Sequence, residues 1–584
     1  MISVEPKRRV LKPPPFNDDV LMSNQYYLKD SYLLSALFLS IAILTSYNFP
    51  SLGNNLTPRN FAGWGVIYFF SFSLFLLPLL RQKVFLSKNF LWLLIPIGAV
   101  ICHPILIPSS EVNDHYPRLI FLTLTGFALA VMAFNQLSVP ESTWRLISVL
   151  FLTVYAIQLF VSEISIGLGI KPFFDFILPM QLREPAAGFM QRNMAASFGA
   201  ALIIWAWSFD GFRLSSRILK VIYGISIFTI SYFIFESGSK VGFLGLLFGS
   251  IFVYLSDRKK NKIPILLITF AFLSSSFLGN SNNSIVKRGE DLFSAESSVS
   301  TKHRISMYEN SLILGMEKPL LGNGLGGFQW AYYDSFARKK EDHPNWYFVA
   351  GTDHPHNEIL IHWVEMGLYG IAFVVAPILA FGVVWVFSPH QQTMKTIGSI
   401  LPIILHTQTE VVLHASGFHW LLLILILVSF RVRKNLSHFE YSRLFALPLV
   451  LLMVTALVVS GEAVAKATNS WREYVAAMKK PDLKEKIDSL VASEAFNHWA
   501  LGTERRENAL EAIMVFAIQT GNIKLVKSNL PAMLTVQEKW QTKRQWLIVA
   551  QSYVLLGRLD DFSAFVNRIK AFDPEFASQF KTYN

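Results

Sequence analysis

From residue 31 to residue 465 the chain alternates between apolar stretches and short polar loops, and that alternation leaves few folds open. In a hydrocarbon layer every backbone N–H and C=O must be bonded internally, so a stretch of about 20 apolar residues crosses as a helix. Spans are predicted near 31–49, 63–80, 90–107, 118–136, 146–167, 193–209, 218–236, 241–255, 263–279, 359–387, 397–412, 416–430 and 444–465. The predicted fold class is therefore all-α: a polytopic membrane helix bundle of about thirteen spans. Composition agrees, because 584 residues that are 52% hydrophobic and only 16% charged are too apolar for an ordinary soluble domain.

Basic residues in short loops stay on the cytoplasmic side. Lys7, Arg8, Arg9 and Lys12 precede the first span, and Arg81 and Lys83 follow the second. Arg213, Arg217 and Lys220, then Arg258, Lys259, Lys260 and Lys262, then Arg431, Arg433 and Lys434 follow later even-numbered spans. An odd span count with these clusters puts the N-terminus inside and the C-terminus outside. The same loops account for much of the net charge of +12, so nucleic acid is not an expected partner whereas the bilayer is. The first apolar run follows some thirty polar residues and lacks a small-residue cleavage site, so it reads as a retained span. Cys102 is the single cysteine, which excludes a disulfide framework or a cysteine metal site within the chain.

Five segments follow: a cytoplasmic 1–30, a first bundle 31–279, a polar periplasmic loop 280–358, a second bundle 359–465, and a soluble helical 466–584 on the periplasmic side. The loop, at about eighty residues, is far beyond ordinary connection lengths, and loops of that size are generally functional. In the tail, Trp546, Ala550, Tyr553 and Leu556 keep helical spacing, with Leu559 and Phe562 beyond Gly557. That run has the look of one tetratricopeptide-like helical hairpin; a plain amphipathic cap fits it equally.

Polar residues converge around the loop. Lys302, His303 and Arg304 precede a helical-looking stretch to Met316, then the glycines Gly322, Gly324, Gly326 and Gly327. Successive amides there suit either a phosphate-binding nest or a tight turn, with neither a Walker nor a dinucleotide spacing present. Lys240, after Glu236-Ser-Gly-Ser239, stands at an outer helix end, where a lysine suits an anion better than it suits a snorkelling anchor. His354, His356 and His362, with Asp353 and Glu358, raise a metal reading. On a helix starting near His356, however, His356 and His362 point apart, so no metal or other cofactor is expected. An imidazole titrates near 6.5, which suits a general base for a hydroxyl. With His356 as catalytic base and Arg304 and Lys240 as cations for a diphosphate leaving group, the residues describe glycosyl transfer from a lipid diphosphate. Glu410, one turn beyond His406 at a predicted span end, fits orientation of a histidine, pairing with an arginine, or direct catalysis.

His356-Asn357, nine residues, Gly367, two residues, Gly370 resembles the ligase motif of the O-antigen ligase and polymerase superfamily. Gly188-Phe-Met-Gln191-Arg192-Asn193-Met-Ala195 is similar to a Gln-Pro-Asn-x-x-Ala segment of bacterial O-linked protein glycosylation ligases, and His406-Thr-Gln-Thr-Glu410 with Phe418-His419-Trp420 to their late-span motif. The resemblance implies a metal-independent, inner-membrane oligosaccharyltransferase. It would move a glycan from undecaprenyl diphosphate to a periplasmic acceptor hydroxyl, on Ser or Thr of a pilin-like exported protein or on lipid A core. By position, His356 would activate the acceptor and Arg304 would hold the diphosphate. Asn357, Gln191, Asn193, His406 and Glu410 would support the site. Two residues depart from the pattern. Lys240 stands where the family usually has Arg, exchanging a bidentate fork for a point charge. Arg192 replaces a Pro and offers a further phosphate contact. An O-antigen polymerase is the remaining member of this chemistry. A transporter, the alternative class, predicts inverted repeats that the sequence does not show.

Overall fold

The computed structural model describes residues 83–87, 140–167, 189, 191–258, 261–278, 299–372, 390–430, 436–440, 502–540 and 542–580, with scattered single positions. The spans predicted at 31–49, 63–80, 90–107, 118–136 and 444–465 lie outside these apart from a few single positions, as do residues 1–30, which the sequence predicts to be cytoplasmic, Cys102 and most of 373–389.

The bundle comprises α1 (Glu141–Gly167), α2 (Arg192–Ser208), α3 (Arg217–Glu236), α4 (Lys240–Ser256) and α5 (Ile263–Leu278). It is completed by α9 (His390–Thr407), a short α10 (Val412–Ala415) and α11 (Gly417–Ser429). Each predicted span in the described region has its helix within a few residues, except at span ten. Among the described residues α1 and α3 are long and apolar enough to cross a membrane, while α4, α5 and α11 are shorter apolar helices. Serines open three of them: Ser216, Ser239 and Ser416 accept from the backbone N–H three residues on. That bond satisfies one of the donors a helix start leaves bare.

α4 sits between α2 and α9, and glycines decide how closely. A methyl at Gly242 would meet Ala196 Cβ at 2.5 Å, and one at Gly245 would meet Pro402 Cβ at 2.7 Å. At Gly249 the carbonyl of Gly398 stands 2.8 Å from where a Cβ would lie. Spacings of three and four put the three glycines on one helix face. Where lipid supplies no hydrophobic drive between helices, small residues let backbones approach and gain packing.

The two ends of the bundle differ. At one, Arg145 Nε donates to Phe209 O at 2.7 Å, Phe209 stacks on Phe430 at 5.0 Å, and Trp207 Nε1 donates to Asn261 O at 3.2 Å. Just beyond Phe430, β2 (Leu436–Glu440) pairs antiparallel with β1 (Lys83–Ser87), Lys83 opposite Glu440 and Ser87 opposite Leu436. This strand pair is an addition to the all-helical expectation. It also ties together two of the basic loops predicted to share a side, and the loop at Arg213 and the start of α5 gather at the same end.

At the other end lie α6 (Val299–Glu317), α7 (Phe328–Lys339) and α8 (Glu358–Met366). The tail contributes α12 (Gly502–Gln519), α13 (Ile523–Trp540), α14 (Lys543–Leu555), α15 (Leu559–Phe572) and α16 (Pro574–Ser578). The hairpin predicted about Gly557 is present as α14 and α15, and α12 with α13 forms a second hairpin about Gly521. The polar loop and the tail share one apolar core, in which Phe348 stacks on Trp546 at 6.0 Å and lies 5.1 Å from Phe572. Phe572 in turn meets Tyr333 and Phe336 of α7. Aromatic pairs of this kind add about 0.5–1.5 kcal/mol each beyond the area they bury.

Candidate active site

Residues 353–358 are the connection from the loop into α8, and they are fastened to the segment that follows α9. His354 Nε2 lies 2.6 Å and His356 Nδ1 2.9 Å from Glu410 Oε1. Asn357 Nδ2 donates to Gln408 O at 3.2 Å, and Glu358 Oε1 accepts from Leu413 N at 2.7 Å. Tyr308 of α6 closes the group from the side, its hydroxyl donating to His356 O at 3.4 Å and Gln408 O at 3.3 Å.

His356 does not begin the helix, as the sequence had suggested. It stands two residues ahead with φ +49°, one of two non-glycine residues with positive φ among the described residues, and Asn357 is the N-cap. The Asn357 side chain accepts from Ile359 N at 2.9 Å and Leu360 N at 3.0 Å. A left-handed residue other than Gly, Asn or Asp costs free energy and persists where the surroundings over-determine it. Here the cap, Pro355 and the two bonds of Glu410 are those surroundings.

Glu410 lies beyond α9, which stops at Thr407, and so stands outside the span in which it was expected. Its carboxylate meets two histidines, His354 and His356, rather than His406. His406 instead turns into the bundle: its Nδ1 is 2.7 Å from Ser197 Oγ, which is 3.1 Å from His419 Nε2, and His419 Nδ1 is 2.8 Å from Ser416 Oγ. This buried chain joins α2, α9 and α11 directly beneath the Glu410 loop. Tyr308 and Ser197 went unassigned in the sequence, although Tyr308 lies one helical turn after Arg304; Asp353 and His354 entered only through the metal reading, and His419 only through the late-span motif.

Charge is distributed unevenly over the three outer histidines. Burial works against charge on His354, yet the Asp353 and Glu410 carboxylates outweigh it and push its pKa up to about 10. His303 is driven the other way, to about 4, first by burial and then by His356 and Arg304. It is held by Thr352 Oγ1 at 3.1 Å. With Nδ1 of His356 facing a carboxylate, the proton of a neutral ring sits there and Nε2 is left as acceptor.

Arg304 and Lys240 form no ion pair among the described residues. Arg304 lies one turn before Tyr308 and close enough to influence His303 electrostatically. Lys240 is the exposed first residue of α4. Arg192 is half-buried at the head of α2, and the side chains of Gln191 and Asn193 beside it make no hydrogen bond among the described residues. These three open the helix that carries Ser197, at the same end of the bundle as Glu410.

The glycine run resolves into a turn rather than a nest. Asn323 N donates to Val364 O at 2.8 Å, Gly324 N to Glu365 O at 2.9 Å and Phe328 N to Glu365 Oε1 at 3.3 Å. Those three amides are thus spent on the end of α8. α8 ends at Gly367 with φ +60°, where any Cβ would meet the Leu320 backbone. Helix resumes immediately, so span ten, predicted as continuous from 359, is broken here. The chain folds back far enough that Gly370 rests on the His362 carbonyl. The spacing of glycines in the motif therefore shapes the support beneath His356.

One feature departs from the expected histidine geometry. Whereas His362 pairs with Glu358 at 3.7 Å, ligand atoms of His354, His356 and Glu410 all lie within 4.8 Å of one another. Their spacing of 2.6 and 2.9 Å through a single carboxylate oxygen fits shared protons.

The arrangement is that of an imidazole pair sharing a carboxylate at one end of an apolar helix bundle. Residues 225–375, which contain Lys240, Arg304, His356 and Gly367, match the O-antigen ligase family. That match covers about a quarter of the chain, the stretch that carries the loop and His356. The chain is 24% identical over 306 residues to an O-antigen ligase of Salmonella typhimurium, an alignment that covers 51% of this chain and 69% of that protein.

Proposed function

We propose that the protein is an oligosaccharyltransferase that moves a glycan from undecaprenyl diphosphate to Ser or Thr hydroxyls of pilin-like exported proteins, on the periplasmic face of the inner membrane. The observation that carries this reading is the Glu410 carboxylate on Nδ1 of His356, beside Arg304. Nε2 of His356 takes the proton of the acceptor hydroxyl as its oxygen attacks the anomeric carbon. The bond from that carbon to the diphosphate breaks, and undecaprenyl diphosphate departs with the electron pair. Arg304 and Lys240, joined by Arg192, meet the charge that develops on it. Activation of a hydroxyl by an imidazole that a carboxylate orients follows the logic of catalytic triads. The helical tail, packed against the loop that carries the site, supplies a surface for a protein acceptor, whereas a lipid acceptor arrives through the bilayer.

A second reading, transfer to lipid A core, is favoured by the likeness to the Salmonella O-antigen ligase. Reconstitution with a lipid-linked oligosaccharide, offering a pilin-like protein and lipid A core in separate vesicles, distinguishes them by which acceptor becomes glycosylated. His356→Ala is expected to abolish transfer while inserting normally; retained transfer would remove His356 from the base role. Transfer is expected to survive a chelator, and loss with chelator would overturn the metal-free chemistry.

A further inference from the structure

The reading of His356 as base leaves a second imidazole at the same carboxylate unexplained. We propose that His354, bridging Asp353 and Glu410, is a positioning residue for transfer: it holds the Glu410 carboxylate on Nδ1 of His356 and sits beside the base as a fixed cation. The proposal rests on the proposed function above, since it concerns the base of that reaction.

Three donors converge on one oxygen. Glu410 Oε1 receives His354 Nε2 at 2.6 Å, His356 Nδ1 at 2.9 Å and the Val411 N–H at 3.2 Å. Behind His354, Nδ1 is 2.5 Å from Asp353 Oδ1, and the side chains of Asp353 and Glu410 are each only 6% exposed. A neutral imidazole donates from one nitrogen and presents a lone pair at the other. With carboxylate oxygens at both nitrogens, one contact would then be repulsive, so the protonated ring is the form that fits. The raised pKa of His354 is the same statement in another measure.

The remaining groups around it do not take over that charge. From α6 come His303, Arg304 and Tyr308; from the loop, Asp353 and His356; from the last turn of α9, His406; and from the segment after it, Glu410. His303 is held neutral by burial first and by His356 and Arg304 next. Arg304 faces the leaving group in the proposed reaction. His354 is thus the cation placed against Glu410.

Its consequence falls on His356, whose ring centroid is 4.5 Å away. A carboxylate alone beside an imidazole favours the protonated ring, which is no base. A second imidazolium on the same oxygen offsets that pull. Glu410 then fixes the tautomer of His356, with the proton on Nδ1 and the lone pair on Nε2.

The test uses the full-length protein in lipid nanodiscs, with a lipid-linked oligosaccharide donor and whichever acceptor the reconstitution identifies, across a pH series. His354→Gln is expected to lower kcat by about tenfold or more, the scale of losses when a group behind a reacting residue is removed. Donor KM should change little. The acidic limb of the profile should move to higher pH, because His356 keeps the carboxylate to itself and must lose its proton before it can act. Asp353→Asn should shift the limb in the same direction by less, and His354→Lys, which retains a cation, should hold the limb near its wild-type position. Wild-type kcat and profile in His354→Gln, or a fall in kcat with the limb unmoved, would overturn the proposal. Where His354→Gln does not accumulate folded, Asp353→Asn is read by the same criteria. If His356→Ala is inactive while the His354 variants match the wild type, only the role of His354 fails. If His356→Ala transfers normally, the reading of the whole site fails with it.

Discussion

His356 occupies a backbone conformation that its residue type resists, at a cost on the order of 1–3 kcal/mol for a position of this kind. The cost is borne because Asn357, immediately after it, does two jobs, capping α8 and reaching Gln408 O. Asn357→Ala removes the cap and should cost about 1 kcal/mol of stability. It should also cost activity beyond what the stability loss explains, read as transfer rate at a temperature where both proteins are fully folded. The charge on His354 yields a pH dependence. Its pKa in the folded protein, about 10, lies above the ordinary 6.5, so its contribution is complete below about 6.5 and is lost as pH rises toward 10. The gap in melting temperature between wild type and His354→Gln should therefore narrow from pH 6.5 to 10. A gap that widened over that range would contradict the assignment. His356 and Arg304 were legible from residue type and motif spacing; His354 was visible as a residue but not as a partner, because the carboxylate that defines its role lies 56 positions away.

At the scale of elements, the sequence periodicity located helices well and their interruptions poorly. The apolar runs of α3, α4 and α11 were readable, since hydrophobic patterning is local. The break at Gly367 was not, because an unbroken apolar run from 359 is equally good helix on either side of it. What breaks it is the approach of the Leu320 backbone, a contact between distant segments. Gly367→Ala should accordingly destabilise the site strongly, since it meets both a positive φ and a backbone in the way. The expected result is loss of transfer with an altered proteolytic pattern in the loop. In the bundle, Gly245→Leu should force α4 away from Pro402 and cost about 1–3 kcal/mol by overpacking, measured as a lower melting temperature in detergent.

For the whole molecule, the notable fact is that the tail and the polar loop are one packing unit. Phe572 touches Tyr333, Phe336 and Phe348 across a sequence gap of more than two hundred residues. Phe572→Ala should cost about 3–5 kcal/mol locally. Limited proteolysis should then release the tail from a bundle that remains intact. Under the protein-acceptor reading, glycosylation of a pilin-like substrate should fall further than hydrolysis of the lipid-linked donor, a comparison that separates acceptor docking from chemistry at His356.

What the chain determines by itself is local: the apolar runs that become helices, the side on which basic loops gather, the serine caps, and the histidine motif with its glycines. Periodicity and capping act over a few residues, so they can be read along the chain. Tertiary structure alone decided that Glu410 serves His354 and His356 while His406 joins Ser197 and His419. It also decided that the glycine run packs on the end of α8, and that the tail shares one core with the loop. Those outcomes depend on which distant backbone and carboxylate arrive at a given point, and close packing between segments settles that after the local elements exist.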